Sequence, residues 1–287
     1  MHDGIKMEMA MQSAQLSLGV LISEQARKTP NQIALKGYER TFSYREFDRR
    51  TSQIAFFLLA HGIQRGDRVA VLSENSIEYV VLLVAGAKIG AIIACQNWRL
   101  AGPELEHCIS LVAPKILFTS ARHNKKAQSL QLSVKTYILD QSFSEKCALC
   151  SYAVPMDQTN PEDGAVILYT SGTTGFPKGA LISHRAQIAR AQIQMIDLPV
   201  KADDVFIAWA PLFHMVSTDT VFKTLMIGGT VHITDGFEAA ELAQIIAQEQ
   251  LGRLTLMPGM ITPLIQAVRK NRSRVRGIKW IGVMADL

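Results

Sequence analysis

The stretch Tyr169–Gly179, YTSGTTGFPKG, gathers residue types suited to holding phosphate. Thr170, Ser171, Thr173 and Thr174 offer hydroxyl donors, Gly172 and Gly175 let backbone N–H groups turn inward, and Lys178 supplies positive charge. Ala165-Val166-Ile167-Leu168 before it reads as a buried strand, and the mostly apolar run Ala180 to Ile196 after it is long enough for a helix. The spacing Gly172-x-x-Gly175-x-x-Lys178-Gly179 excludes the P-loop of kinases and ATPases. Pro177 precedes the lysine, and Gly179 stands where a Ser or Thr would hold magnesium. No Gly-x-Gly-x-x-Gly follows a strand, so a dinucleotide fold is unsupported.

Other chemistry-bearing residues carry less. Cys147-x-x-Cys150 could be a redox pair or half a zinc site. His107 and Cys108 are not spaced as a second zinc knuckle, and the polar stretch Gln141 to Lys146 is not the strand-to-helix setting of a redox pair. These cysteines therefore read as free thiols, and no metal site is expected. Arg269, Lys270, Arg272, Arg274 and Arg276 form a basic run without interleaved aromatics, which reads as a solvated helix end and not a nucleic-acid surface.

The elements that must position the loop alternate. A helix is expected from Leu18 to Arg27, then a hairpin around Gly37-Tyr38-Glu39. Ser43-x-x-Glu46 is a capping box opening a helix with Phe47, Thr51, Ile54 and Leu58 on one face. Strands are expected at Arg68–Leu72, Ala91–Cys95, Lys115–Thr119 and Tyr137–Leu139. Between them fall a helix capped by Ser76, running to Lys88 and apolar nearly all round, and another at Pro103–Leu111. Behind the loop, strands at Val205–Ala210, Thr230–Thr234, Leu254–Met257 and Ile278–Val283 alternate with helices at His214–Ile227 and Phe237–Gln250 and one ending near Arg269. This is an α/β pattern with parallel strands. Residues 1–16 read as a weakly ordered lead-in, 17–150 as a first α/β subdomain and 151–163 as a connector within the polar stretch 141–163. Residues 164–287 read as a second α/β subdomain carrying the loop.

Hydrophobic residues at 48% and charged residues at 19% exclude a disordered chain, and a net charge of +5 over 287 residues is too small to imply nucleic acid. The start carries Asp3 and Glu8 and no apolar h-region, and the longest apolar run, Tyr79 to Ala87, is too short to span a bilayer. A cytoplasmic location is the default expectation.

The whole eleven-residue loop closely resembles the phosphate-binding signature of adenylate-forming enzymes: acyl-CoA ligases, peptide-synthetase adenylation domains and beetle luciferases. Phe42-Ser43-Tyr44-x-Glu46-Phe47, Asn97-Trp98-Arg99-Leu100, Ser183-His184 and Pro211-Leu212-Phe213-His214 resemble elements of the acyl-CoA ligase branch, so the likeness runs from about residue 18 to the end. The resemblance implies the incomplete large N-terminal domain of such an enzyme: mixed, largely parallel sheets flanked by helices. It implies ATP, magnesium carried on the phosphates, coenzyme A and a small-molecule carboxylic acid as partners. By the same resemblance Thr170, Ser171, Thr173 and Thr174 hold the β- and γ-phosphates, Gly172 and Gly175 allow close approach, and Lys178 neutralises charge or anchors the loop. His214 would stand near the acyl carboxylate and α-phosphate, Met215 and Thr218 near the acyl pocket, and Arg99 near coenzyme A. Without the resemblance, His214 reads as a core histidine after a strand and Arg99 as a surface arginine.

Family members run well past 287 residues. The Tyr-Gly-x-Thr-Glu element, the ribose-binding aspartate, the hinge and the small C-terminal domain with its adenylation lysine have no counterpart in these residues, and Lys178 is not taken as a substitute for that lysine. The expectation is an N-terminal part of an acyl-CoA ligase, inactive alone. An acyl-AMP ligase or an amino-acid adenylation domain is the alternative within the enzymes, with Asp219 the nearest aspartate for a substrate ammonium. A non-catalytic nucleotide-binding protein is the alternative of another class. Oligomeric state stays open, a homo-oligomer included.

Overall fold

The computed structural model describes residues 15–38, 40–170, 175–198, 200–271 and 275–283. Almost all of the expected lead-in lies outside the described residues, as do Ser171, Gly172, Thr173 and Thr174 of the loop and Arg272 and Arg274 of the basic run.

Helix α1 (Leu18–Lys28), capped by Ser17, precedes the hairpin β1 (Ile33–Lys36) and β2 (Thr41–Ser43). Helix α2 (Tyr44–Ala60) starts on the expected capping box: Ser43 Oγ accepts from Glu46 N at 3.3 Å, and Glu46 Oε2 accepts from Ser43 N at 2.8 Å. Then come β3 (Arg68–Leu72), α3 (Ile77–Ile89), β4 (Ile92–Cys95), α4 (Gly102–Val112), β5 (Ile116–Thr119), α5 (Ala121–Gln128) and β6 (Lys135–Ile138). Helix α3 is buried on nearly every face, as its apolar circumference requires, and Gly90 ends it in the left-handed region.

The polar stretch from residue 141, where no helix is expected from the sequence, carries one, α6 (Gln141–Ala148). Asp140 Oδ1 caps it by accepting from Phe143 N at 2.9 Å, and burial of Phe143 and Cys147 holds it in place. A second difference follows the loop. The chain leaves β7 (Gly164–Thr170) and returns as an antiparallel strand, β8 (Lys178–Ser183), so the helix α7 (His184–Asp197) starts four residues later than expected. Ladder bonds to β7 satisfy residues 178–183, and Ser183 Oγ caps α7 by accepting from Ala186 N. The remainder is β9 (Val205–Ala208), α8 (Met215–Ile227), β10 (Thr230–Ile233), α9 (Ala239–Gln248), β11 (Leu251–Leu256), α10 (Pro258–Asn271) and β12 (Ile278–Val283).

Among the described residues two six-stranded sheets result, ordered β6-β5-β3-β4-β7-β8 and β12-β11-β9-β10-β1-β2. Both are parallel except for an antiparallel strand at one edge, β8 in the first and β2 in the second. The α/β class with mixed, largely parallel sheets and flanking helices is therefore as expected. Each sheet draws strands from both sides of residues 151–163, so strand membership divides the chain differently from a cut at that connector. Between the sheets α3 packs on β4 and β7, α8 packs on β9 and β10, and α1 touches both helices. One apolar cluster, from Leu18 and Ile22 through Val80 and Leu83 to Phe222 and Leu225, joins the layers. Gly19 permits the α1–α3 crossing, because a Cβ there would lie 2.7 Å from Lys88 Cα.

Candidate active site

The phosphate-loop candidates stand on the β7–β8 hairpin. Thr170 pairs with Lys178 and Tyr169 with Gly179, so the register brings the two ends of the loop side by side. Thr170 and Lys178 are exposed, and Lys178 has no hydrogen-bond or ion-pair partner among the described residues. Gly175 has φ of 120°, a conformation that favours glycine, and a Cβ there would meet nothing within 4 Å. A free cation beside an open glycine turn fits an anionic group. The stem below is tied down: Tyr169 Oη accepts from Gln96 Nε2 at 2.9 Å and donates to the Cys108 carbonyl at 2.8 Å.

Gln96 leads directly into the second group. In Asn97–Leu100, Asn97 Oδ1 accepts from Arg99 N at 2.9 Å, and Lys126 Nζ donates to the Trp98 and Leu100 carbonyls at 2.7 and 2.6 Å. Trp98 stacks on His123 with ring centroids 5.1 Å apart and meets the Phe213 ring edge-on at 6.1 Å. The Arg99 guanidinium lies 5.1 Å from the Trp98 ring, and Phe213 and His214 have centroids 4.6 Å apart. Two segments remote in sequence, one from each sheet, thus converge where parallel strands end, the usual place for a ligand in an α/β sheet.

His214 caps α8 with its backbone, its carbonyl accepting from Ser217 N and Thr218 N, and leaves its imidazole exposed. Desolvation by its surroundings and then the nearby Arg99 charge lower its pKa, so it is neutral at pH 7 and free to donate one hydrogen bond. Met215 is exposed beside it. Thr218 is fully buried, and its hydroxyl donates to the Leu212 carbonyl at 2.6 Å, so it braces the Pro211–His214 turn from beneath. Ser217 does the same through the Ala210 carbonyl at 2.6 Å.

Sequence reasoning missed Asn75, which follows β3 in one sheet and holds the exit of β9 in the other. Its Nδ2 donates to the Ala208 and Ala210 carbonyls, each at 2.9 Å, and its Oδ1 accepts from Leu212 N at 2.8 Å. The only sequence signal was a polar side chain between a strand end and the Ser76 helix cap. His123 and Gln96 were missed as well, and Trp98 was marked only as part of the Asn97–Leu100 element, since their partners lie far off in sequence. Asp219, weighed for amino-acid activation, is buried and its Oδ2 accepts from Arg190 Nε at 2.5 Å. Cys147 is buried, which pushes its thiol up to about 12, and both it and Cys150 are free thiols. Among the described residues no group of three or more His, Cys, Asp or Glu is placed to hold a metal ion.

A family model described as AMP-binding enzyme matches residues 22–285. The chain belongs to the AMP-binding enzyme family. It is 31% identical to indoleacetate–CoA ligase of Aromatoleum aromaticum over 93% of this chain and 54% of that protein. It is 30% identical to feruloyl-CoA synthase of an Amycolatopsis species over 88% of this chain and 50% of that one. The chain spans about half the length of the curated relatives it matches. Among solved structures, the inhibitor-bound N-terminal domain of FACL13 from Mycobacterium tuberculosis matches with a TM-score of 0.86 at 25% identity, covering 93% of this chain and 69% of that one. ATP-bound MatB from Rhodopseudomonas palustris matches with a TM-score of 0.79 at 26% identity, over 88% of this chain and 52% of that one. No helix among the described residues is long and apolar enough to cross a membrane.

Proposed function

We propose that this chain is the ATP-phosphate-binding part of an acid–thiol ligase of the acyl-CoA ligase branch. In the first step a carboxylate oxygen attacks the α-phosphorus of ATP and pyrophosphate leaves, giving the acyl-adenylate. In the second the thiolate of coenzyme A attacks the acyl carbon and AMP leaves. Both steps place charge on oxygen, so positioned donors and cations are what the site must supply. The observation that carries this reading is the β7–β8 hairpin, which sets Thr170 opposite an exposed Lys178 that has no partner among the described residues.

In this reading Thr170, Ser171, Thr173 and Thr174 donate to the β- and γ-phosphates, Gly172 and Gly175 let the backbone approach, and Lys178 offsets phosphate charge. Magnesium, when present, rides on the phosphates. Neutral His214 donates to the carboxylate or α-phosphate, Met215 borders the acyl group, Thr218 shapes the turn that carries His214, and Arg99 faces coenzyme A. Pairing of Asp219 with Arg190 weighs against amino-acid activation, which would need that carboxylate free for an ammonium. The chain spans about half the length of these relatives, and negligible turnover by the 287 residues alone is part of this proposal.

Equilibrium binding tests this reading. Lys178→Ala and Thr173→Val should each weaken ATP about tenfold, the scale of one charge-assisted contact. Unchanged affinity in both variants would refute the assignment of the loop. Robust pyrophosphate exchange by the 287 residues would refute the half-site reading, whereas ATP binding without exchange is the expected result.

A further inference from the structure

Both stems of the phosphate loop are held by consecutive residues of α4. On the incoming stem the Tyr169 hydroxyl donates to the Cys108 carbonyl at 2.8 Å. On the outgoing stem the Phe176 ring lies on the His107 imidazole, with centroids 4.7 Å apart and planes inclined by 28°. Phe176 is 54% exposed, so it is not a core residue. It sits between Gly175, in the left-handed region, and Pro177, whose ring restricts the backbone, and this pair aims it at the helix. Gly179, opposite Tyr169, lies against both β7 and the helix: a Cβ there would crowd Ile167 Cγ2 of β7 at 3.1 Å and meet Leu111 Cδ2 of α4 at an ordinary 3.9 Å. Helix α4 also begins directly after the Asn97–Leu100 segment, so one rigid element borders both halves of the site.

We infer that Phe176 and His107, with Tyr169, form a clamp through which α4 positions the loop for the β- and γ-phosphates of a nucleotide. The inference rests on the phosphate-binding reading above. These are positioning residues: they need touch no ligand, and they act by restricting the stems before binding, which reduces the ordering that binding would otherwise require.

The test compares wild type with Phe176→Ser, His107→Ala and Phe176→Tyr, at an exposed and a half-buried position outside the apolar core. Two quantities are read on each: amide hydrogen exchange over residues 175–179, and equilibrium binding of ATP and of AMP. The Ser and Ala variants should exchange faster there and bind ATP about three- to tenfold more weakly, the scale of one ring pair. AMP lacks the phosphates that the loop holds, so its affinity should not move, and Phe176→Tyr should restore both readouts. Unchanged exchange with an unchanged ATP-to-AMP ratio would overturn the clamp, and so would an equal loss for both nucleotides. Wild type that bound neither nucleotide would overturn the phosphate reading instead, and the exchange measurement would then decide the clamp by itself.

Discussion

His184 opens α7 directly behind β8, with its imidazole fully buried and Nδ1 accepting from the Leu18 N–H at 3.2 Å. That bond puts the ring proton on Nε2, which has no hydrogen-bond partner among the described residues. Burial lowers the pKa from 6.5 to about 4, and Asp157 and Asp163 offset only part of the effect. Protonation would charge a buried ring and remove the acceptor that fixes the start of α1. The folded state therefore resists a proton that the unfolded chain accepts near pH 6.5, so stability rises with pH between about 4 and 6.5. The difference between 6.5 and about 4 corresponds to about 3 kcal/mol, present above pH 6.5 and lost as pH falls through 4, with about 2 kcal/mol already gone at pH 5. Carboxylates such as Asp163, bonded to Arg65 and held below the ordinary range, lose stability in acid as well. The measurement is therefore a difference. Urea unfolding of wild type and His184→Gln at pH 7 and pH 5 should show wild type losing about 2 kcal/mol more than the variant. Equal losses, or an imidazole titrating by NMR at its ordinary value, would refute the account.

Three further perturbations follow from named contacts. Asn75→Ala removes three hydrogen bonds that tie the exits of β3 and β9, and should cost about 2–4 kcal/mol in urea unfolding, whereas an exposed asparagine would cost nearly nothing. Lys223 is buried with no hydrogen-bond partner for Nζ among the described residues, and burial lowers its pKa to about 8. The unfolded chain holds that proton up to about pH 10.5, so the cost is complete below pH 8 and disappears above 10.5. Lys223→Met should raise the melting temperature at pH 7 and gain less as the pH rises past 8; an unchanged or lower value at pH 7 would count against it. Ala113 ends α4 with φ of 42°, so Ala113→Gly should stabilise by about 1 kcal/mol, read as a higher urea midpoint.

Much of the fold was legible because the signals were local. The Ser43–Glu46 capping box, the largely apolar α3 and β12 at Ile278–Val283 stand where periodicity and cap chemistry put them. Local reading failed at β8 and α6. Residues 178–183 carry glycine, alanine and aliphatics that suit a helix as well as a strand, and only the ladder to β7 decides. The segment 141–148 looks polar in sequence, and it is a helix because Phe143 and Cys147 find an apolar seat.

The sequence by itself determined that Tyr169–Gly179 has residue types suited to phosphate and lacks the P-loop spacing, since glycine, hydroxyl and lysine spacing is a property of contiguous residues. It also marked His214 and Arg99, though as separate features. Tertiary structure decided what they are to one another. Trp98 and Phe213, from different sheets, meet edge to face and bring Arg99 close enough to lower the pKa of His214. Asn75 reaches across more than a hundred residues to fix the β9 exit, and α4 takes hold of both loop stems. Such relations depend on strand order and helix packing, which arise from burial summed over the whole chain, so no window of neighbouring residues contains them.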